Sequence, residues 1–341
     1  MGYSNIPLWA SIAFMLAGLA ALAWSSDRFV DGSATLAKAF GVSPFVIGMV
    51  VIGFGTSAPE LCVSVMSGLS GHSNLSLGNA YGSCSFNIAV ILGAAALVRC
   101  LTVRPAVAFV AGIGLAALSL FSLWLLRDGV CSRTEASALL AAFVVILPLY
   151  CWFDQRSKPA ADVNAPEKGG APARGTAAAS LNVAVGLAVL IGSSHLLVWG
   201  AVDFARFIGV SDLVIGLTIV AAGTSLPELA SAIASARRGE NEFVLGNIIG
   251  SNLFNMLAVV GLATAIGPLK PGADGAAAFS PYVLSRDLPF VAVLSLTIMI
   301  FGVSWRRPLE RGRFGRLKGA LWLAAFAAYT ALMLVQESGA K

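Results

Sequence analysis

The sequence predicts an all-α integral membrane protein whose ten transmembrane helices form two inverted five-helix repeats. The first observation is composition, because the 341 residues are 57% hydrophobic and only 11% charged, with a mean hydropathy of +0.84. The second is segment length, since a helix needs about 20 mostly apolar residues to cross a bilayer. The third is an internal repeat. The short alternating segments of a membrane β-barrel are absent from the sequence, which leaves helices as the spanning structure.

Ten apolar runs are long enough to span the membrane. They lie near residues 6–26, 44–68, 74–98, 105–126, 134–153, 180–204, 212–236, 242–266, 287–304 and 318–335. No Lys or Arg precedes the first run, which favours a span over a cleaved signal peptide. The stretch 154–178 is rich in Ala, Pro, Gly and Lys and is predicted to be a flexible loop.

The chain contains the same segment twice. Shifting the sequence by 168 residues aligns 48–93 with 216–261 without a gap, and 17 of the 46 positions are identical. We therefore predict a first repeat at 1–153, the loop at 154–178, and a second repeat at 179–341. Five spans are an odd number, so the second repeat enters the membrane from the opposite side. Inverted repeats are typical of transporters that expose a midplane site alternately to the two sides, although a duplicated channel is an open alternative.

The basic residues indicate orientation rather than a nucleic-acid partner. The net charge is +5, and 15 of the 22 Lys and Arg residues fall in loops on one side of the predicted spans. The positive-inside rule places this side, with the central loop, in the cytoplasm and both termini outside. The expected partner is the lipid bilayer, with no nucleic acid and no obligatory protein partner. The five cysteines show no metal-ligand spacing and are predicted to be packing residues.

The repeated segment places a proline beside a carboxylate inside an apolar span. It reads GTSAPE from Gly55 to Glu60 and GTSLPE from Gly223 to Glu228. A helical proline removes a donor and frees backbone carbonyls, which at membrane depth need a partner such as a cation. A protonated carboxyl that satisfies a neighbour is the structural alternative. A charge at the bilayer centre costs at least about 2.5 kcal/mol, and two such costs at matched positions favour a functional role.

A polar stripe follows each of these motifs on the next span. Its members recur every four residues and are Asn79, Ser83 and Asn87 in the first repeat and Asn247, Ser251 and Asn255 in the second. Together with the threonines, serines and glutamates of the motifs they offer hard oxygen ligands. Such ligands suit Ca²⁺ or Na⁺, whereas zinc and copper favour His or Cys. For Asn79 and Asn247, hydrogen bonding between helices is an equal alternative.

The doubled pattern GTS-x-P-E followed by G-N-x-x-G-S-x-x-x-N resembles the cation/calcium exchanger superfamily, particularly its prokaryotic sodium/calcium exchanger-like branch. The resemblance implies that Glu60 and Glu228 are the central ligands, shared between Ca²⁺ and Na⁺. The other implied ligands are Thr56 and Thr224 for Ca²⁺, Ser57, Ser83, Ser225 and Ser251 for Na⁺, Asn87 and Asn255 in the middle position, and backbone carbonyls near Gly53 and Ala221. It also implies long first and sixth spans, reaching about Phe40 and Ile208.

The same resemblance implies Na⁺/Ca²⁺ antiport in a prokaryotic inner membrane, with Ca²⁺ and Na⁺ as transported ions and no cofactor. Asn255 stands where potassium-dependent relatives carry Asp, which argues against potassium dependence. The Thr-Ser pairs retained in both motifs favour sodium coupling. A Ca²⁺/H⁺ or other divalent-cation antiporter is the main alternative, and a cation channel is a remote one. An enzyme is not expected, because the sequence lacks HExxH, a serine nucleophile with a placed His, and paired intramembrane Asp residues.

Overall fold

Long helices make up nearly all of the computed structural model, which describes residues 7–69, 73–157, 175–208, 221–269, 278–303 and 310–339. In the first half the elements are α1 (Leu8–Phe40), α2 (Pro44–Ile47, Gly48–Gly53 and Phe54–Thr56), α3 (Ala58–Leu69), α4 (Ser73–Phe86, Asn87–Leu92 and Gly93–Val98), β1 (Leu101–Val103), α5 (Pro105–Leu125) and α6 (Arg133–Arg156). In the second half they are α7 (Thr176–Phe207), α8 (Ala221–Gly223), α9 (Leu226–Arg238), α10 (Asn241–Leu253, Phe254–Val259 and Val260–Ile266), α11 (Val283–Asp287 and Leu288–Gly302), β2 (Gly312–Phe314) and α12 (Arg316–Gly339).

The helices confirm an all-α membrane protein, whereas the predicted total of ten spans is not confirmed. Eight helices of the described residues are long and apolar enough to cross a membrane. The pair α2 and α3, bent by 45° at a short break, makes a ninth candidate span. The predicted span at 212–236 falls partly on 209–220, which lies outside the described residues.

The first helix is longer than the sequence analysis predicted. The apolar run suggested a span near 6–26, yet α1 extends over 33 residues to Phe40. Asp27 and Asp31 interrupt the apolar pattern, but both face Arg238 at the end of α9, with N–O distances of 3.7 and 3.1 Å. The helix continues past both charges, which are exposed and lie beside Arg238. Its end at Phe40 agrees with the reach that the family resemblance implied.

One further boundary differs from the prediction, and a short ribbon was not predicted. The central loop was expected to begin at Asp154, but α6 continues to Arg156. Asp154 is fully buried and pairs with Arg104, whose Nε lies 2.9 Å from Glu242. The sequence analysis also missed a short antiparallel ribbon in which β1 pairs with β2. The ribbon joins the end of α4 to the beginning of α12.

The helices that carry the motifs pack closely around α10, whose apolar window is entirely buried. A Cβ on Gly246 or Gly250 would overlap with backbone atoms of α2, so these glycines allow the two helices to touch. No such overlap occurs at Gly78 or Gly82, where a Cβ would meet nothing within 4 Å among the described residues. Away from this centre, α1 and α7 run antiparallel, with Gly200 against Ser11 and Gly32 against Ala179.

Candidate cation-binding site

Both glutamates lie in the first turn of a helix that starts at a break in the span. Helix α3 begins one residue after Ser57, and α9 begins one residue after Ser225. Proline at the second position of each new helix is compatible with a start there, because its missing N–H is not needed. The positive end of each helix dipole favours a carboxylate in this turn. Glu60 is 0% and Glu228 1% exposed, so each break supplies one buried acidic group.

A serine from each half of the chain donates a hydrogen bond to the glutamate of the other half. Ser57 Oγ donates to Glu228 Oε1 at 2.9 Å, and Ser225 Oγ donates to Glu60 Oε1 at the same distance. The two carboxyl groups therefore meet at the junction of the repeats. The remaining oxygen of each, Oε2, is buried and has no hydrogen-bond partner in the described part of the chain.

The two threonines of the motifs flank these carboxyl groups. Thr224 lies against the carboxyl of Glu60, and Thr56 lies against that of Glu228. Thr56 Oγ1 also donates to the carbonyl of Ile52 at 2.9 Å, a bond within its own helix. Both hydroxyl oxygens thus border the carboxylate pair from opposite repeats.

The middle asparagines add neutral oxygens that are also without partners. Asn87 is 1% and Asn255 0% exposed. Across the described residues, neither Oδ1 of Asn87 nor either amide atom of Asn255 has a hydrogen-bond partner. Asn87 opens one π-helical turn and Asn255 lies in another, at Phe254–Val259. Such turns are frequent at functional sites, and the sequence analysis did not anticipate them.

The other predicted ligands lie around this centre with differing contacts. Ser251 Oγ donates to the carbonyl of Gly53 at 3.2 Å, and Ser83 Oγ is 3.3 Å from Ser225 Oγ. Ala221 begins the short helix α8, at the edge of the described residues. The structure therefore brings Ser83 and Ser225 together, and it places Ser251 on the carbonyl of Gly53.

Asn79 and Asn247, the first asparagines of the two stripes, form hydrogen bonds between helices. Asn79 Nδ2 donates to the carbonyl of Glu60 at 3.1 Å, and Asn247 Nδ2 donates to that of Glu228 at 3.3 Å. This is the structural alternative considered for both residues. They hold the first turns of α3 and α9 and thereby orient the glutamates.

Two buried polar residues near the site were missed by the sequence analysis. Ser194 Oγ on α7 donates to the carbonyl of Gly223 at 2.8 Å, so a hydroxyl meets a carbonyl that the proline was expected to free. Asn252 Oδ1 accepts from Asn87 Nδ2 at 3.2 Å. Comparison of the repeats could have revealed Asn252, because its equivalent in the first repeat is Cys84.

The arrangement has the chemistry of a site for a hard cation. Four buried oxygens of the predicted ligands have no partner among the described residues: Oε2 of Glu60, Oε2 of Glu228, Oδ1 of Asn87 and Oδ1 of Asn255. A buried polar atom without a partner is costly, and a Ca²⁺ or Na⁺ ion would satisfy such oxygens. No cluster of three or more His, Cys, Asp and Glu side chains occurs in the described ranges, so the donor set does not resemble that of a transition-metal site.

Residues 10–152 and 179–335 match the sequence profile of the family described as "Sodium/calcium exchanger protein". The chain belongs to this family. As a member it is an integral membrane transporter, a cation/Ca²⁺ antiporter, which agrees with the buried oxygen cluster between its halves.

Individual relatives show the same similarity over most of the chain. CaxA of Alkalimonas amylolytica, named as an antiporter, is 37% identical over 94% of this chain and 97% of its own length. The inner membrane protein YrbG of Escherichia coli is 34% identical over 88% and 90%. Among solved structures, the sodium-calcium exchanger NCX_Mj, soaked with Na⁺ and Sr²⁺, matches with a TM-score of 0.77 and 28% identity over 95% of this chain and 99% of its own.

Proposed function

We propose that this protein exchanges Na⁺ for Ca²⁺ across the membrane by alternating access. The observation that carries the proposal is the crossed pair of bonds, Ser57 to Glu228 and Ser225 to Glu60, each of which leaves one carboxylate oxygen free. In this proposal Glu60 and Glu228 hold Ca²⁺ or Na⁺ through those free oxygens. The further ligands that we assign are Thr56 and Thr224 for Ca²⁺, Ser57, Ser83, Ser225 and Ser251 for Na⁺, Asn87 and Asn255 in the middle position, and the backbone carbonyls near Gly53 and Ala221.

Charge explains why such a site would exchange ions rather than leak them. Two ionised glutamates are neutralised by one Ca²⁺ or by two Na⁺, so a loaded site can change its exposure at low electrostatic cost. An empty site would move two bare carboxylates through an apolar barrier, which is expensive. A third Na⁺, as the family resemblance implies, would leave the loaded site at +1 and make transport electrogenic.

The same resemblance to inverted-repeat transporters supports a proposed topology. We place ten spans in two halves, 1–153 and 179–341, joined by a cytoplasmic loop, with both termini outside the inner membrane. The antiparallel packing of α1 and α7, the first helix of each half, supports the inversion. The name of the relative YrbG, an inner membrane protein, supports the location.

Proton coupling is the second candidate, since a buried pair of carboxyl groups can also carry protons. Reconstituted protein loaded with Na⁺ is expected to take up ⁴⁵Ca²⁺ when diluted into Na⁺-free buffer, with the pH equal on both sides. The same liposomes without Na⁺ should show only background uptake under an imposed pH gradient. The opposite pattern would establish Ca²⁺/H⁺ exchange, and uptake that needs no counter-ion would indicate a channel.

The motif serines offer a sharper test of sodium coupling. Replacing both Ser57 and Ser225 by Ala removes the hydroxyls that we assign to Na⁺ and also the hydrogen bonds to the glutamates. We expect the Na⁺ concentration for half-maximal exchange to rise roughly thirtyfold, given about 1 kcal/mol for each of the two hydrogen bonds. Ca²⁺ affinity should change less, because the carboxylates remain. An unaltered Na⁺ dependence would remove these serines from the sodium sites.

A further inference from the structure

The two middle asparagines occupy equivalent positions in the repeats but differ in their surroundings. Asn87 is held by a hydrogen bond from its Nδ2 to Asn252 Oδ1, at 3.2 Å. Asn255 has no hydrogen-bond partner for either amide atom among the described residues. One amide is therefore held by a hydrogen bond to a neighbour, whereas the other has no such bond among the described residues.

The cause of this difference is a single position at which the repeats diverge. Asn252 lies three residues before Asn255, and the residue three before Asn87 is Cys84. A thiol is a weak hydrogen-bond partner, and Cys84 Sγ lies 3.8 Å from the backbone carbonyl of Asn252. Both side chains are fully buried, so the first repeat supplies no amide that could hold Asn255 in the way that Asn252 holds Asn87.

The orientation of an asparagine matters at a cation site because its two ends have opposite polarity. The amide oxygen can coordinate a cation, whereas the NH₂ group repels it. Since Nδ2 of Asn87 is engaged by Asn252, its Oδ1 is the end left without a partner. The contact between helices α4 and α10 thus leaves the amide oxygen of Asn87, rather than its nitrogen, available to a cation.

We propose that Asn252 is a positioning residue that fixes Asn87 as an oxygen ligand in the middle position of the cation site, whereas no equivalent residue holds Asn255 among the described residues. This inference rests on the proposed function, because it assumes that the cluster of glutamates and asparagines binds Ca²⁺. Asn252 itself does not touch the ion. It acts through the amide of Asn87. Because the equivalent residue of the first repeat is Cys84, the two halves of the site are unequal.

The test is a double-mutant cycle read out as equilibrium ⁴⁵Ca²⁺ binding to the purified full-length protein in detergent. In the wild-type background, Asn252→Ala is expected to raise the Kd for Ca²⁺ three- to tenfold, the effect of one hydrogen bond. In an Asn87→Asp background the same change should alter the Kd by less than about twofold, because a carboxylate presents oxygen at either end. An equal loss in both backgrounds, or no loss in the first, would overturn the proposal.

A second variant keeps the test decisive if alanine at 252 impairs folding. Asn252→Cys introduces the residue that the first repeat already carries at this position and should also raise the Kd. In the Asn87→Asp background the same replacement should leave the Kd within about twofold of that background's own value. An equal rise in both backgrounds would contradict the positioning role.

The binding measurement also separates this inference from the proposed counter-ion. If the cycle behaves as expected but liposomes show no Na⁺-driven uptake, Asn252 keeps its role and sodium coupling fails. If uptake is normal but the cycle shows equal losses, the exchange proposal stands and the positioning role is wrong. A wild-type protein that binds no Ca²⁺ would refute both.

Discussion

Replacing Glu228 by Gln is expected to abolish Na⁺-driven Ca²⁺ uptake, and Glu60→Gln should do the same. Each substitution keeps the size of the side chain and one oxygen that can accept the crossed serine bond. It removes half of the negative charge available to the ion. Breaking a buried pair of opposite charges costs about 3–5 kcal/mol, which is roughly two to three powers of ten in affinity. Initial rates of ⁴⁵Ca²⁺ uptake into Na⁺-loaded liposomes measure the effect.

A matched control separates this effect from a general loss of folding. Glu135 lies at the start of α6, where its side chain accepts from the Ser132 N–H in a capping box. Glutamine can accept the same bond, so Glu135→Gln should transport at close to the wild-type rate. Wild-type rates in either site variant would remove that glutamate from the ion site.

Replacing Gly250 by Ala is expected to disrupt the contact between α2 and α10. A Cβ at this position would overlap with the carbonyl oxygen of Met49, a backbone atom that cannot move without displacing α2. Overpacking in a core commonly costs 1–3 kcal/mol or more, and here it would force apart the two helices that carry Gly53 and Ser251. We expect a lower melting temperature in detergent and loss of transport.

The control for this prediction is Gly192→Ala. Gly192 lies in α7, and a Cβ there would meet nothing within 4 Å in the described structure. Alanine favours the helical conformation over glycine by about 1 kcal/mol, so this variant should be neutral or slightly stabilised. Equal behaviour of the two variants would show that the contact between α2 and α10 is not tight.

The carboxylates could be predicted from the sequence because both copies of the repeated motif contain a glutamate. A proline and a glutamate in an apolar span, copied 168 residues later, have few structural explanations. Spacing alone also placed Ser83 and Asn87 on one stripe with a helical period. The crossed bonds from Ser57 and Ser225 could not be predicted from the motif alone, because they depend on how the two halves of the chain pack against each other.

Other features of the site could not be predicted, for physical reasons that concern partners distant in sequence. The apolar run alone ended the first span near residue 26, because Asp27 and Asp31 follow it, and their pairing with Arg238, more than 200 residues away, has no local sign in the sequence. The π-helical turns at Asn87 and Asn255 depend on packing against neighbouring helices. The fixed orientation of Asn87 requires Asn252 from the other repeat, and the local pattern around Asn87 contains no sign of it.

The most direct test of the account is the position of a heavy alkaline-earth ion in crystals of this protein. Sr²⁺ is close to Ca²⁺ in chemistry and scatters anomalously. The account predicts one strong anomalous peak within coordination distance of carboxylate oxygens of both Glu60 and Glu228, absent from crystals of the Glu60→Gln, Glu228→Gln double variant. A peak elsewhere in the protein, or one bound by only one of the two glutamates, would contradict it.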